Sequence, residues 1–307
     1  MRTATGHDGL SARSIGPGVP GGEFDVRVHS VFRSALNLEL EGEPLLVTLF
    51  DRDGPEAPQG IRLAAPQDFS AWRLARGSRG ALGPRALVLE GGPEGQIEVD
   101  LTRAERATAV PLAGVRHLGP AVDACRRGLA RIQETKGCDL RIDVLLQGER
   151  APTGMGACLA AGARELGAAA TRLSLPAAAV AALRLLGLGP GATPAGDDFL
   201  CGFLFAIGSS ARAGAQAAFL AGLGEALGGR LAATSDLSRT FLRCALRALA
   251  PTALGEMAAA LSEERPLEAV RALGRVCALG HSSGADLASG FLYGLAIWAG
   301  QAEPPGA

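Results

Sequence analysis

A chain of 307 residues, 48% hydrophobic and 20% charged, is long enough to bury a sizeable core as one large or two ordinary domains. Its net charge of −1 leaves no basic footprint for nucleic acid and no polybasic patch for a membrane surface. Only 4% of residues are aromatic while 43 are glycine, which favours closely packed small-residue helices over an aromatic-rich β-sandwich.

The N-terminal stretch "MRTATGHDGLSARSIGPGVPGGE" is polar and glycine-rich, and residues 1–22 are expected to be a flexible leader without signal-peptide character. Strand patterns follow: "EFDVRVHSVFRSALNLEL", "PLLVTLFD", "QGIRLA" and "RALVLEGGPEGQIEVDL", separated by Gly/Pro turns. Residues 23–112 are therefore predicted to be an antiparallel β-rich module, crossed by a short helix at Phe69–Arg76. His29, with Ser30, Arg33 and Asn37 nearby, reads as a packing or surface histidine of a strand. Beyond Pro111 the periodicity lengthens to three or four residues, and 113–307 is predicted to be all helical, with Gly/Ala-rich helices packed closely. Helices are expected at 120–135, 156–172, 176–186, 197–209, 212–227, 235–249, 252–263, 266–279 and 283–300. Pro194, Pro251 and Pro266 stand where helices should begin. "CDLRIDVLLQGE" fits a strand or a helix equally well. The fold class is thus α+β. No segment offers about 18 uninterrupted apolar residues, so no transmembrane helix is expected. Six cysteines without any C-x-x-C pair, mostly in apolar helical patterns, read as reduced buried thiols of a cytoplasmic protein.

One stretch carries more punctuation than a helix connection requires: "LGLGPGATPAGDDFLCGFLFAIG", from Leu186. Part of it recurs. "GDDFLCGFL" from Gly196 matches "GADLASGFL" from Gly284, 88 residues later, pairing Gly196/Gly284, Asp198/Asp286, Gly202/Gly290, Phe203/Phe291 and Leu204/Leu292. In each copy an aspartate enters the first helical turn and a glycine lies four residues on, on the same face. An interior helical glycine costs about 1 kcal/mol relative to alanine, so two at equivalent positions predict two helices crossing there with their starts side by side. Taken singly, the residues are ordinary caps: Thr193 before Pro194, and Ser283 with Asp286 three residues on. Taken together, Asp197, Asp198 and Asp286 exceed what capping needs, and His281, Ser282 and Ser283 crowd the second start. The expected site comprises Asp197, Asp198, His281 and Asp286 as catalytic groups, with Gly189, Gly191, Thr193, Gly196, Ser282, Ser283 and Gly284 binding substrate. Helix-start N–H groups suit an anion such as phosphate or a carboxylate. The carboxylates suit an amide or a cation, with Mg²⁺ on Asp197, Asp198 or Asp286 as the candidate metal, although no cofactor is certain. "ATSDLSRTFL", with Ser235 or Thr234 as cap, reads as an ordinary capped helix. The glycine run is not a P-loop, since no G-K-[ST] follows, nor a dinucleotide fingerprint, since no β-α-β unit surrounds it. No G-x-S-x-G elbow or zinc spacing occurs.

"LGLGPGATPAGDDFLCGFL" and "GHSSGADLASGFLYGL" resemble the signature of the bacterial AllH family, and "HSVFRSALNLEL…PLLVTLF" is similar to that family's opening strands. The resemblance spans most of the chain. It implies a subunit of oxamate carbamoyltransferase, the enzyme of anaerobic allantoin degradation that converts oxalurate and phosphate to oxamate and carbamoyl phosphate. It further implies partner subunits, one of which resembles an acyl-CoA ligase α chain. The resemblance supplies a reaction and no residue roles. Two other readings compete. "GADLASGFLYGLA" loosely resembles a segment of helical, metal-dependent ADP-ribosylglycohydrolases, but Gly284 stands where their paired aspartate is expected. A non-catalytic assembly subunit is the third.

Overall fold

The computed structural model describes residues 9–92, 95–108, 119–147, 153–210 and 214–299. The chain divides into two compact units between Ala109 and Val110.

The first unit is built of strands β1 (Leu10–Ile15), β2 (Phe24–Val31), β3 (Ala35–Leu40), β4 (Leu46–Phe50), β5 (Gly60–Leu63), β6 (Arg79–Leu82), β7 (Ala86–Glu90), β8 (Gln96–Asp100) and β9 (Glu105–Arg106). Eight of them close into a barrel in the order β5-β4-β3-β2-β6-β7-β8-β1, because β1 pairs back onto β5; β9 continues alongside β1. Closure leaves no long unpaired edge. Pairing is mostly antiparallel, but β4–β5, β1–β8 and β1–β9 are parallel. Alternation drives the register: Val26 and Val28 turn inward while Asp25 and Arg27 face out. Leu36, Leu38, Val47, Leu49, Ile61, Leu87 and Leu89 fill the interior. Among the described residues one turn of 3-10 helix, Phe69–Trp72, interrupts the strands, where a longer helix to Arg76 was expected.

The leader expectation needs correction. Leu10–Ile15 is a central strand of the barrel, with Ala12 opposite Leu63 and Ile15 opposite Ile61. Its sequence, LSARSI, carries polar residues between its apolar ones, and its neighbours lie some 50 and 90 residues away. Such a strand announces itself only through its partners.

The second unit holds α1 (Pro120–Lys136), α2 (Ile142–Gln147), α3 (Met155–Thr171), α4 (Leu175–Leu185), α5 (Ala195–Ser210), α6 (Ala215–Gly228), α7 (Asp236–Leu246), α8 (Thr252–Ser262), α9 (Pro266–Cys277) and α10 (Ser283–Ala299). The ambiguous "CDLRIDVLLQGE" thus contributes a helix, α2. Pro120 and Pro266 occupy first-turn positions, and Ser235 caps α7 by accepting from the Ser238 N–H at 3.0 Å. At the centre lie α5 and α10. Every residue of α5 from Gly196 to Ile207 is buried, as expected of a helix apolar all round. α1, α3 and α9 pack on α10, while α4 and α7 pack on α5. Among the described residues, no helix is long and apolar enough to cross a membrane.

Candidate functional site

Helices α5 and α10 cross with their backbones in contact, and the contact is reciprocal. A Cβ on Gly202 would lie 1.9 Å from the Leu287 carbonyl oxygen and 2.7 Å from the Phe291 nitrogen. A Cβ on Gly290 would lie 1.9 Å from the Phe199 carbonyl oxygen and 2.9 Å from the Phe203 nitrogen. Advancing each residue of the one contact by the 88-residue repeat, or setting it back, generates the other. The internal repeat is therefore a local pseudo-twofold axis through the crossing. Phe199 and Phe203 stack at 6.1 Å and Phe205 meets Phe291 at 5.9 Å, filling the space beside the glycines.

The repeat extends to the helix starts. Gly196 presses on the end of α4, where a Cβ would fall 2.1 Å from the Leu185 carbonyl oxygen; Gly284 presses on the end of α9, at 1.9 Å from that of Val276. The Gly196 N–H donates to the Leu188 carbonyl and the Gly284 N–H to that of Leu279, both at 2.9 Å. The Pro194 carbonyl accepts from the N–H groups of Asp197 and Asp198, and the Ser282 carbonyl from those of Ala285 and Asp286. Pro194 and Ser282 are thus the N-caps, one residue away from the expected Thr193 and Ser283. Those two hydroxyls instead meet each other at 2.7 Å, bridging the starts.

This geometry places Asp198 and Asp286 on equivalent sides of the axis. Asp198 is 6% exposed and Asp286 is 1% exposed. Each keeps one oxygen, Oδ2 of Asp198 and Oδ1 of Asp286, buried and without a hydrogen-bond partner among the described residues. Burial pushes the Asp198 carboxyl well above the ordinary carboxylate range; the Ser283 and Thr193 hydroxyls draw it down, and the like charge of Asp286 raises it again. Burial pushes Asp286 up to about 7, against the pull of the Ser282 hydroxyl. Two carboxyls with raised affinity for protons therefore share one low-dielectric region. Perturbed pairs of this kind concentrate at functional sites.

Asp197 is arranged differently. Its Oδ1 accepts from the Gly187 N–H at 2.7 Å and its Oδ2 from the Thr234 hydroxyl. It ties the α4–α5 loop to the segment before α7. Burial raises its affinity for a proton, and both donors oppose that. Gly189 and Gly191 lie in this loop at φ +124° and +98°, conformations that disfavour a side chain. His281 is exposed, and its carbonyl accepts from Lys136 Nζ at 2.6 Å. Among the described residues, no group of three or more His, Cys, Asp or Glu side chains is placed to hold a metal ion. Two carboxylates with neighbouring hydroxyls make a sparse donor set for Mg²⁺, which the hydrolase reading requires.

Sequence reasoning missed the supporting residues on α1. Buried Gln133 donates to Ser289 Oγ on α10 and to the Leu140 carbonyl, both at 2.7 Å, and accepts from the Ile142 N–H at 2.9 Å. Lys136 Nζ also caps α9, donating to the Cys277 carbonyl at 2.7 Å. Their partners lie up to 156 residues away, so no local pattern marks them. The cysteines are free and all buried except Cys158; burial lifts the thiols of Cys125 and Cys277 to about 12, which makes them inert.

The chain matches no functionally curated protein and no solved structure. It matches two family models. Residues 10–106, the barrel, match the AllH family N-terminal domain. Residues 185–295, which run from the end of α4 through most of α10, match the model described as oxamate carbamoyltransferase subunit AllH. The second match begins and ends around the two helix starts and their crossing. Together the two cover most of the chain, and the protein belongs to the AllH family.

Proposed function

We propose that the protein is the subunit of a carbamoyltransferase complex that works on small anionic amides, and that the Asp198–Asp286 pair takes part in the chemistry. The reaction is oxalurate plus phosphate giving oxamate plus carbamoyl phosphate, in the cytoplasm and with partner subunits. A phosphate oxygen attacks the carbamoyl carbon of oxalurate. The bond from that carbon to the amide nitrogen breaks, and the nitrogen leaves with a proton as oxamate. A proton must therefore travel from phosphate to nitrogen. Asp286, with a pKa raised to about 7, is matched to that transfer near neutral pH. Asp198, whose affinity for a proton burial raises well above the ordinary carboxylate range, is suited to donate a hydrogen bond to a substrate oxygen. Asp197 serves as a brace for the loop.

The single observation that carries this reading is the symmetric pair of buried carboxyl oxygens without partners. Capping does not require them, and leaving such groups unpaired costs stability. The test is turnover of oxalurate with phosphate by the assembled complex. Asp286→Asn and Asp198→Asn should each lower the rate at least about a hundredfold while the complex still forms on a sizing column. Near-parental rates from both variants would place the chemistry on another subunit.

A further inference from the structure

A second chemistry-bearing feature lies on the opposite face of α1. Its inner face carries Cys125, Leu129 and Gln133; its outer face, with Arg141 and Asp143 at the start of α2, borders an open, solvent-facing cleft of about 360 Å³. Four guanidinium groups line it, from Arg126, Arg127, Arg131 and Arg141, against the two carboxylates of Glu134 and Asp143. The carboxylates do not neutralise the arginines. Arg126 is committed to Asp143 at 3.0 Å. Arg141 has its Nε buried without a hydrogen-bond partner among the described residues. A buried guanidinium donor left open is costly unless something completes it.

The backbone at Arg141 is also held in place. The buried amide of Gln133 binds the residue on either side of it, the Leu140 carbonyl and the Ile142 N–H. The Arg141 backbone is thus locked to α1 from the core side while its side chain reaches the cleft. Carried on this fixed backbone beside Arg127 and Arg131, the Arg141 guanidinium is suited to bidentate recognition of a tetrahedral or planar oxyanion. We propose that this cleft is a binding site for a small oxyanion of about two negative charges, a phosphoryl group in the first instance, separate from the Asp198–Asp286 pair. The charge matches the surplus of two arginines, and the volume admits a phosphate or a short phosphomonoester. The proposal does not depend on the carbamoyltransferase reading.

The test is calorimetric titration of the full chain at low salt with inorganic phosphate, glycerol 3-phosphate and succinate. One saturable site per chain that depends on the arginines is expected for glycerol 3-phosphate, and the same site for phosphate in addition to any phosphate held at the Asp198–Asp286 pair. Glycerol 3-phosphate binding more tightly than phosphate would mark a phosphomonoester as the natural occupant, and equal affinities would mark the free ion. Arg141→Gln, and Arg127→Gln with Arg131→Gln, should weaken binding at least about tenfold with unchanged melting temperatures. Asp198→Asn with Asp286→Asn, and Arg184→Gln on a distant surface, should leave it intact. No saturation by about 10 mM ligand, tightest binding by succinate, or binding that survives the arginine changes but fails in the aspartate double variant, would overturn the proposal.

Discussion

Where α5 begins, Asp197 and Asp198 enter the first turn together; where α10 begins, the equivalent positions hold Ala285 and Asp286. The backbone of the two starts is the same, down to which carbonyl accepts the first helical bonds. The acids differ in their surroundings. Unrepeated Asp197 has a donor on each oxygen and a clear structural task. The repeated acids each keep an oxygen buried and unpartnered. Local structure thus explains the residue that differs and fails to explain the residues that are shared. Groups kept against their folding cost are the ones to test for function.

The two helix starts depend on each other most strongly at the crossing. Gly202→Ala and Gly290→Ala each drive a methyl onto a backbone oxygen that cannot rotate away. Each should cost about 3 kcal/mol or more, lowering the melting temperature by roughly 6–12 °C. Equal losses would confirm the pseudo-twofold contact. Gly208→Ala, where the nearest atom is a Leu220 methyl at 3.6 Å, should be neutral or stabilising because helix propensity improves. A tolerated alanine at 202 or 290 would refute the reciprocal crossing.

The shared acids make the next largest effect, through pH. Asp286 binds its proton more tightly folded, at about 7, than at its ordinary value of 3.8. Its contribution to stability is then fully present below about pH 3.8 and is lost as pH rises through about 7. The parent should lose on the order of 3 kcal/mol across that window from this group. Asp286→Asn should flatten the profile and leave the protein more stable than the parent at pH 8, even as turnover falls. Denaturant melts at pH 5 and pH 8 measure it, and a variant less stable at both would show that the carboxylate is a structural anchor. The unshared acid should behave in the opposite sense. Asp197→Ala reproduces the residue found at the second start, yet strands the Gly187 N–H and the Thr234 hydroxyl, at about 2 kcal/mol. An unchanged melting temperature would remove its role as a brace.

Much of this was legible in the sequence. The α+β division follows from the change of hydrophobic period near Pro111, and the crossing follows from the two glycines four residues beyond two aspartates. What could not be read depends on distant partners. Strand β1 is defined by β5 and β8, and its polar sequence looks like a leader until they are in place. Asp197 and Asp198 are adjacent and identical in type. Only the approach of Thr234 on one side and of Ser283 on the other separates a brace from a candidate acid. Gln133 and Lys136 likewise look like ordinary surface residues of an amphipathic helix until α10 and the end of α9 arrive.

The smallest effect tests how the two starts are joined. Thr193 and Ser283 share one hydrogen bond of 2.7 Å across the axis, from residues 90 apart in sequence. It is not repeated by the pseudo-symmetry, because the residue equivalent to Thr193 is His281, which is exposed. A neutral hydroxyl pair of this kind contributes about 1 kcal/mol, so Thr193→Val and Ser283→Ala should each cost about that, with a double-mutant coupling of at least 0.5 kcal/mol. The same hydroxyls draw the proton affinity of Asp198 down. Removing both should move the alkaline limb of the pH–rate profile of the assembled complex upward. A coupling near zero with an unmoved profile would mean that the glycines alone hold the starts together. The acid pair would then be tuned by burial and not by its neighbours.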